Sequence, residues 1–83
     1  MGFDESELER QENEFKKQLG EKIKDYRSAI GLSQHQLALE ANISRTQISR
    51  LENGEINTSV ISLLRVARSL DLDKEQLLDL LEI

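Results

Sequence analysis

The sequence contains no cysteine and no proline, and only four of its 83 residues are glycine. The absence of cysteine excludes disulfides, thiolate metal sites and cysteine nucleophiles. With no proline and few glycines, only turn residues interrupt long helices. A small chain without disulfides or a structural metal must be stabilised by close helix packing or by a partner subunit.

Long apolar runs and catalytic constellations are also lacking. No apolar run approaches the roughly 20 residues of a membrane span, so we expect no membrane association. The first ten residues, MGFDESELER, are charged and lack the apolar core of a secretory signal. The only histidine, His35, has no further metal ligand near it in sequence, and no nucleophile with an orienting base is apparent. We therefore expect a cytoplasmic protein with no cofactor, no metal site and no enzymatic activity.

The net charge of −5 is unevenly distributed along the chain. Residues 1–15 contain six acids and one arginine, and residues 71–83 contain five acids and one lysine. Between them, residues 16–70 carry nine lysines or arginines against five acids. The acidic total therefore does not exclude a local basic face that binds DNA.

Apolar residues recur at helical spacing along nearly the whole chain, and no strand-like alternation competes with this pattern. The spacing predicts an all-α fold of five helices joined by short turns. Capping pairs, in which a polar residue is followed three positions later by Glu or Gln, mark the predicted helix starts. The pairs are Ser6–Glu9, Ser33–Gln36, Ser44–Gln47 and Asp73–Gln76, and Thr58 is the predicted cap of the fourth helix.

Residues 33–53 predict a helix-turn-helix. Asn42 tolerates the left-handed conformation that the turn needs, and the small Ala38 lets the next helix cross closely. Ile48 and Leu51 would anchor that third helix in the core. At about 100° per residue, its opposite side and N-terminal turn present a set of polar residues to solvent. These residues are Arg45, Thr46, Arg50 and Asn53, with Gln47 and Ser49 beside them.

The stretch from residue 32 to 72, LSQHQLALEANISRTQISRLENGEINTSVISLLRVARSLDL, resembles the Cro-like phage repressor helix-turn-helix family, also called XRE. That family includes restriction–modification controller proteins and many antitoxins. The resemblance rests on the Ser-Gln opening, the small Ala38, the Ile48 and Leu51 anchors and the LENG ending. It implies a compact five-helix, lambda-repressor-like DNA-binding domain. The family turn is usually glycine where this chain has Asn42.

Residue by residue, the resemblance implies contacts to both the bases and the phosphates of duplex DNA. It implies base contacts from Arg45, Thr46, Gln47 and Arg50, whose side chains suit major-groove reading. It implies phosphate contacts from Gln34, Asn53, Asn57 and Thr58. It also implies a structural ion pair between Arg27, late in the first helix, and Glu52 of LENG. Many relatives carry lysine or arginine after LENG, whereas this chain has Glu55, so we expect a shallow salt dependence of DNA binding.

The chain is expected to divide into an acidic extension, residues 1–14, frayed or helical, and the helix-turn-helix domain, residues 15–83. The dimerisation region is expected at about residues 58–83. Leu77, Leu80 and Leu81 are expected to complete the core, while Leu78 and Ile83 face outward. One recognition helix covers too few bases for useful specificity, so we expect a homodimer that reads two half-sites. The candidate dimer contacts are Leu77, Leu78, Leu81 and Ile83.

Two functions follow from these features. The first is a sequence-specific DNA-binding transcription regulator, a repressor that occupies a two-fold symmetric operator, encoded by a bacterium, phage or plasmid. The alternative is a protein-interaction module, such as an antitoxin that binds a toxin, with DNA binding secondary. The acidic N-terminus leaves three interpretations open. It is a solvated, partly frayed helix start, a protruding helix that brings Leu8 and Phe15 to the dimer, or an acidic element that binds a protein partner or holds the basic face in check.

Overall fold

The computed structural model describes residues 4–82, so the predicted dimer contact of Ile83 lies outside the described residues. Within this range the chain forms five helices and no strand, which confirms the predicted all-α class. The helices are α1 Glu5–Ala29, α2 Gln34–Ala41, α3 Arg45–Glu52, α4 Val60–Ser69 and α5 Lys74–Leu81. None of the helices in this part of the chain combines the length and apolarity needed to cross a membrane.

Three of the predicted capping boxes form, each with hydrogen bonds in both directions between the cap and the third helical residue. They are Ser33–Gln36 at α2, Ser44–Gln47 at α3 and Asp73–Gln76 at α5. Each box satisfies two backbone groups that a helix start would otherwise leave without a partner. The local sequence therefore determines where three of the five helices begin.

The predicted caps of α1 and α4 were wrong by one or two residues. Asp4, not Ser6, caps α1, and its Oδ1 accepts a hydrogen bond from the Ser6 backbone N–H at 2.9 Å. Ser59, not Thr58, caps α4, and its Oγ accepts from the backbone N–H of Ser62 at 3.0 Å. In both cases a nearby residue with the same capping chemistry occupies the position.

Helix α1 is 25 residues long and continuous through the acidic extension. The extension was predicted to be either frayed or helical, and residues 5–14 are helical. The expected domain boundary after residue 14 falls inside α1. Arg10 lies between two of the acids, with its guanidinium 2.5 Å from Glu7 Oε1 and 3.6 Å from Glu14 Oε2. The extension is thus a helical continuation of the first helix.

The core is formed by one side of every helix, with Ile23, Leu37, Ile48, Val66 and Leu80 fully buried. On α5, Leu80 is buried and Leu77 packs half-buried against the core. The expectation that Leu81 completes the core was wrong, because its side chain is 50% exposed. Residues 77 and 80 already form the single inward stripe that a two-turn helix offers, which leaves Leu81 on the flank.

Helices α1 and α3 cross in direct backbone contact at Gly20. A Cβ atom on Gly20 would lie 2.5 Å from the carbonyl oxygens of both Leu51 and Glu52. No side chain other than hydrogen fits at that distance. The contact holds the C-terminal end of α3 against α1, which fixes the position of the third helix.

Helix α5 is held on α1 by polar contacts from two α1 side chains. Lys22 Nζ donates to the carbonyl oxygens of Asp79 and Glu82, which lie at the end of α5. Tyr26 donates its hydroxyl hydrogen to Asp79 Oδ2 at 2.8 Å. The pKa of Tyr26 is raised, first by this hydrogen bond, then by burial and the negative charges of Asp79 and Asp73.

Candidate DNA-binding surface

The turn between α2 and α3 depends on Asn42, which has φ 55° and ψ 46° in the left-handed region. The predicted left-handed turn is therefore present. The backbone N–H of Asn42 donates to Leu39 O at 3.3 Å, and that of Ile43 donates to Ala38 O at 3.1 Å. These bonds end α2 and redirect the chain so that α3 crosses it, as in a helix-turn-helix.

The outer side of α3 carries the predicted DNA-reading residues. Ile48 and Leu51 are 0% and 3% exposed and face the core. Arg45, Thr46 and Arg50 are exposed on the other side of the helix. The geometry therefore brings these three side chains together on the exposed side of α3.

Arg45, Thr46 and Arg50 share one shallow concavity of about 270 Å³. Gln34 at the start of α2 and Ser49 of α3 also line it. Ser49 was predicted only to flank the exposed residues. It lies one helical turn after Arg45, and this spacing could have assigned it to the surface. Two arginines, two hydroxyls and one amide thus converge on a single concave surface.

Gln47 is exposed, but part of its side chain is already engaged. Its Oε1 accepts a hydrogen bond from the backbone N–H of Ser44 at 3.1 Å, which is half of the α3 capping box. Bidentate pairing of glutamine with adenine needs the amide oxygen as well as the amide nitrogen. While the cap is formed, one lone pair of Gln47 Oε1 is occupied, and its Nε2 donors are the groups fully available to a base.

Arg27 and Glu52 form a bidentate ion pair beneath this surface. Arg27 Nε lies 2.6 Å from Glu52 Oε2, and Arg27 Nη2 lies 2.9 Å from Glu52 Oε1. The carboxylate is buried at the end of α3, and it is the one buried charged side chain within residues 4–82. The pKa of Arg27 is raised, mainly by its hydrogen bonds to Glu52.

Gln34 contacts the same carboxylate, which the sequence did not predict. Its Nε2 donates to Glu52 Oε1 at 3.0 Å, so its amide is engaged within the protein. Gln34 is also the first residue of α2, and the backbone N–H at that position has no acceptor inside the helix. A phosphate contact from Gln34 would therefore use this backbone N–H or the second hydrogen of Nε2.

The other predicted phosphate contacts lie beyond the end of α3. Asn53 is its exposed C-cap residue, and Asn57 and Thr58 follow in the loop before α4. A depression of about 260 Å³ is lined by Gln47 together with Asn57 and Thr58. The loop is therefore continuous with the exposed side of α3, as a surface that follows a DNA strand requires.

The candidate dimer contacts on α5 differ in exposure. Leu78 is 68% exposed and Leu81 is 50% exposed, whereas Leu77 is half-buried against the core. The exposed pair lies among Glu75, Asp79 and Glu82. This face of α5 is therefore apolar in its middle and acidic around it.

Comparison with known proteins gives a match to the helix-turn-helix family HTH_3 over residues 23–77. The chain is 34% identical over 61 residues to the control protein C.BamHI of Bacillus amyloliquefaciens, covering 72% of this chain and 75% of the relative. It is 41% identical over 54 residues to a 15.4 kDa protein in the HgiDIIM 5′ region of Herpetosiphon aurantiacus. That match covers 65% of this chain but spans only 39% of the Herpetosiphon protein.

Two solved structures are similar in fold. The restriction-modification controller protein C.AhdI from Aeromonas hydrophila matches with a TM-score of 0.70 and 31% identity, over 74% of this chain and 92% of that chain. An HTH_3 family transcriptional regulator from Vibrio cholerae matches with a TM-score of 0.74, over 82% of this chain and 38% of that chain. At 24% identity, the second match shows the fold alone.

Proposed function

The chain belongs to the helix-turn-helix family HTH_3 as a DNA-binding transcription regulator, and from this premise we propose how it reads DNA. Helix α3 lies in the major groove, with Arg45, Thr46 and Arg50 contacting base edges and Gln47 donating from its Nε2. Gln34, Asn53, Asn57 and Thr58 contact the phosphates on either side. Base contacts select the sequence, and phosphate contacts hold the register of the helix.

The observation that carries this proposal is the concavity shared by Arg45, Thr46, Arg50 and Gln34. Arginine can bond bidentately to guanine, and a threonine methyl can contact the methyl of thymine. Neither Arg45 nor Arg50 forms an ion pair with another of residues 4–82. Their guanidinium groups are thus available to DNA without first breaking an internal salt bridge.

The proposal includes a homodimer on a two-fold symmetric operator, because one α3 contacts too few base pairs for useful selectivity. Leu78 and Leu81 of α5 are its exposed apolar candidates for the subunit contact. The dimer represses transcription by occupying the operator and excluding polymerase. In this proposal the protein acts in the bacterial cytoplasm and is encoded by a bacterium, a phage or a plasmid.

The test is selection of binding sites from a random duplex pool with the wild-type protein and the R45A/R50A variant. We expect the wild type to select a motif of two inverted half-sites about 10 base pairs apart. Because both arginines are exposed, the double variant should fold normally and yet select no motif. Each arginine should contribute about 1–3 kcal/mol at its own base position.

The matched control is K24A/K74A, which also removes two exposed positive charges but lies outside α3. It should select the wild-type motif with slightly lower affinity, because only the general electrostatic attraction is reduced. If K24A/K74A and R45A/R50A lose the motif equally, net charge and not base reading determines binding. Recovery of no motif by the wild type would reject the proposed function.

A further inference from the structure

The loop that follows α3 lies against α1 at Lys16 and Lys17. Gly54, the residue after the α3 C-cap, has φ 71°, and a Cβ atom on it would lie 2.9 Å from the Lys17 Cα and 3.3 Å from the Lys16 carbonyl carbon. The backbones of the loop and of α1 are therefore in direct contact at this point. Asn53, which precedes Gly54, is one of the proposed phosphate contacts, so both lysines begin beside the surface assigned to the DNA backbone.

The two lysine side chains leave α1 on either side of this contact. Consecutive residues of a helix point about 100° apart, so Lys16 and Lys17 diverge around the backbone that Gly54 covers. Lys16 is half-buried and Lys17 is exposed. A half-buried lysine keeps its apolar stem along the protein wall and its ammonium group in water. Both ammonium groups are therefore accessible from the side of the loop.

Lys16 is connected with α3 through two shared concavities. It lines a groove of about 580 Å³ between α1 and the start of α4, together with Asn57 and Thr58. Asn57 and Thr58 also line the depression of about 260 Å³ that contains Gln47 of α3. The surface is therefore continuous from the recognition helix, over the loop, to Lys16.

Neither lysine is engaged in an internal ion pair. Lys16 and Lys17 form no ion pair with another of residues 4–82. Glu12 also lines the groove and precedes Lys16 by four residues, a spacing at which glutamate and lysine often pair on a helix. Glu12 and Lys16 nevertheless lie beyond ion-pair distance of each other. Either lysine can thus bind an anion without first breaking an internal salt bridge.

The loop itself supplies no positive charge. Residues 53–59 contain no lysine or arginine and one acid, Glu55. The asparagine and threonine side chains of this segment contact phosphates as neutral groups, which release no counterion. Lys16 and Lys17, at the backbone contact with Gly54, bring two positive charges to a segment that otherwise carries a negative one.

We propose that Lys16 and Lys17 bind neighbouring phosphates of the DNA strand that passes along the loop after α3, an inference that rests on the proposed function. The loop contributes the neutral contacts to this strand, and α1 contributes the charged ones. Both lysines precede residue 23, where the family match begins. The N-terminal half of α1 therefore adds DNA contacts to those of the matched region.

The order of charges along α1 limits where the strand can lie. Glu12 and Glu9 follow one and two turns from Lys16 toward the N-terminus. A strand that ran along α1 in that direction would meet these carboxylates, which repel phosphate within a Debye length. The strand therefore crosses α1 at the lysines, and E12Q should tighten binding rather than weaken it.

The experiment compares the wild type with K16Q/K17Q on the operator obtained by random-pool selection and on a scrambled duplex. The variant should still select the wild-type motif, because it loses phosphate contacts and no base contact. Its affinity should fall roughly tenfold or more on both duplexes. The slope of log affinity against log salt should decrease by roughly 0.9 for each lysine that contacts a phosphate. K16R/K17R keeps both charges and should keep the slope.

The matched control is R68Q/K74Q, which also removes two exposed positive charges, from the end of α4 and the start of α5. Its salt slope should stay close to that of the wild type. Equal slopes for K16Q/K17Q and R68Q/K74Q would overturn the proposed contact and leave the selected motif intact. A wild type that selects no motif would instead reject the proposed function, and the lysine contact with it.

Ethylation interference on the operator locates the contact. Some phosphates whose ethylation blocks binding of the wild type should have no effect on K16Q/K17Q. These phosphates should neighbour those that lose their effect in N57A, because Lys16 and Asn57 line one groove. An interference pattern identical to that of the wild type would overturn the proposal, since the lysines would then act only through the general field of the protein.

Discussion

Arg27 of α1 and Glu52 at the end of α3 are joined by two hydrogen bonds of 2.6 and 2.9 Å across 25 residues of sequence. The Glu52 side chain is 1% exposed and that of Arg27 is 12% exposed. Arg27 also donates to the carbonyl oxygen of Leu32 at 2.8 Å, and Gln34 donates to Glu52. One buried carboxylate therefore connects the first three helices.

Removing Arg27 should be costly, because it leaves the Glu52 carboxylate buried and without a counter-charge. We expect R27M to lower the free energy of unfolding by about 3–5 kcal/mol, measured by urea denaturation. The matched control is R10M, since Arg10 pairs with glutamates on the surface of α1. R10M should leave the urea midpoint unchanged. Similar midpoints for both variants would show that the buried ion pair contributes no more to stability than the exposed pairs of Arg10.

Gly20 should not tolerate even one added methyl group. The Cβ of G20A would lie 2.5 Å from two carbonyl oxygens of α3, so the helices must separate. Replacing a helical glycine by alanine should by itself raise the free energy of unfolding by about 1 kcal/mol. The steric overlap with α3 should outweigh this gain, so that G20A lowers the free energy of unfolding by about 2 kcal/mol net. Thermal unfolding gives the comparison, with S28A on an exposed part of α1 as the control that should change little. A more stable G20A would contradict the close contact.

Gln47 allows capping and DNA contact to be separated. Q47E keeps the oxygen that accepts from Ser44 and places a negative charge at a helix start, which is favourable. It also removes the Nε2 donors and introduces repulsion toward phosphate. We expect an unfolding midpoint at or above that of the wild type, with DNA affinity reduced roughly tenfold. Unchanged affinity would exclude Gln47 from the interface.

Asn57 and Arg45 should differ in their salt dependence. N57A removes a proposed neutral phosphate contact, so it should weaken binding equally on all sequences and keep the salt slope. R45A removes a cation, and it should reduce the slope of log affinity against log salt by up to about one. Titrations of the selected operator and of a scrambled duplex at four salt concentrations make the comparison. Identical slopes of log affinity against log salt for R45A and the wild type would show that Arg45 does not lie close to the DNA phosphates.

Tyr26 should ionise at a higher pH than free tyrosine, because its pKa is raised chiefly by the hydrogen bond to Asp79. It is the only tyrosine and there is no tryptophan, so phenolate absorbance reports this group alone. The folded state holds the proton more tightly than the unfolded state. Its contribution to stability is therefore complete below the ordinary tyrosine pKa and is lost as the pH rises through the raised value. D79N should move the titration toward the ordinary value, and an unmoved titration would assign the shift elsewhere.

The features predicted from the residues themselves are those that depend on nearby residues, whereas the Arg27–Glu52 pair, 25 residues apart, was implied by the family resemblance. Capping boxes, the left-handed Asn42 and the exposed side of α3 all follow from residues within one or two helical turns. The contact of Gly20 with α3 and the hydrogen bond of Lys22 to Asp79 in α5 join segments more than 30 residues apart. No local sequence pattern specifies which segments so far apart in sequence come into contact. The prediction for Leu81 failed for the same reason. Its spacing was that of an inward-facing residue, but Leu77 and Leu80 already form the side of α5 that packs on the core.

The exposed side of α3 has a consequence for how such a regulator can diverge. Arg45, Thr46 and Arg50 contribute nothing to the buried core, and exposed positions of this kind usually tolerate substitution within about 0.5 kcal/mol. Gln47 is not interchangeable in this way, because it caps the helix. Under the proposed function, substitutions at these three positions can change the operator preference at almost no cost in folding, while position 47 accepts only residues that still cap α3.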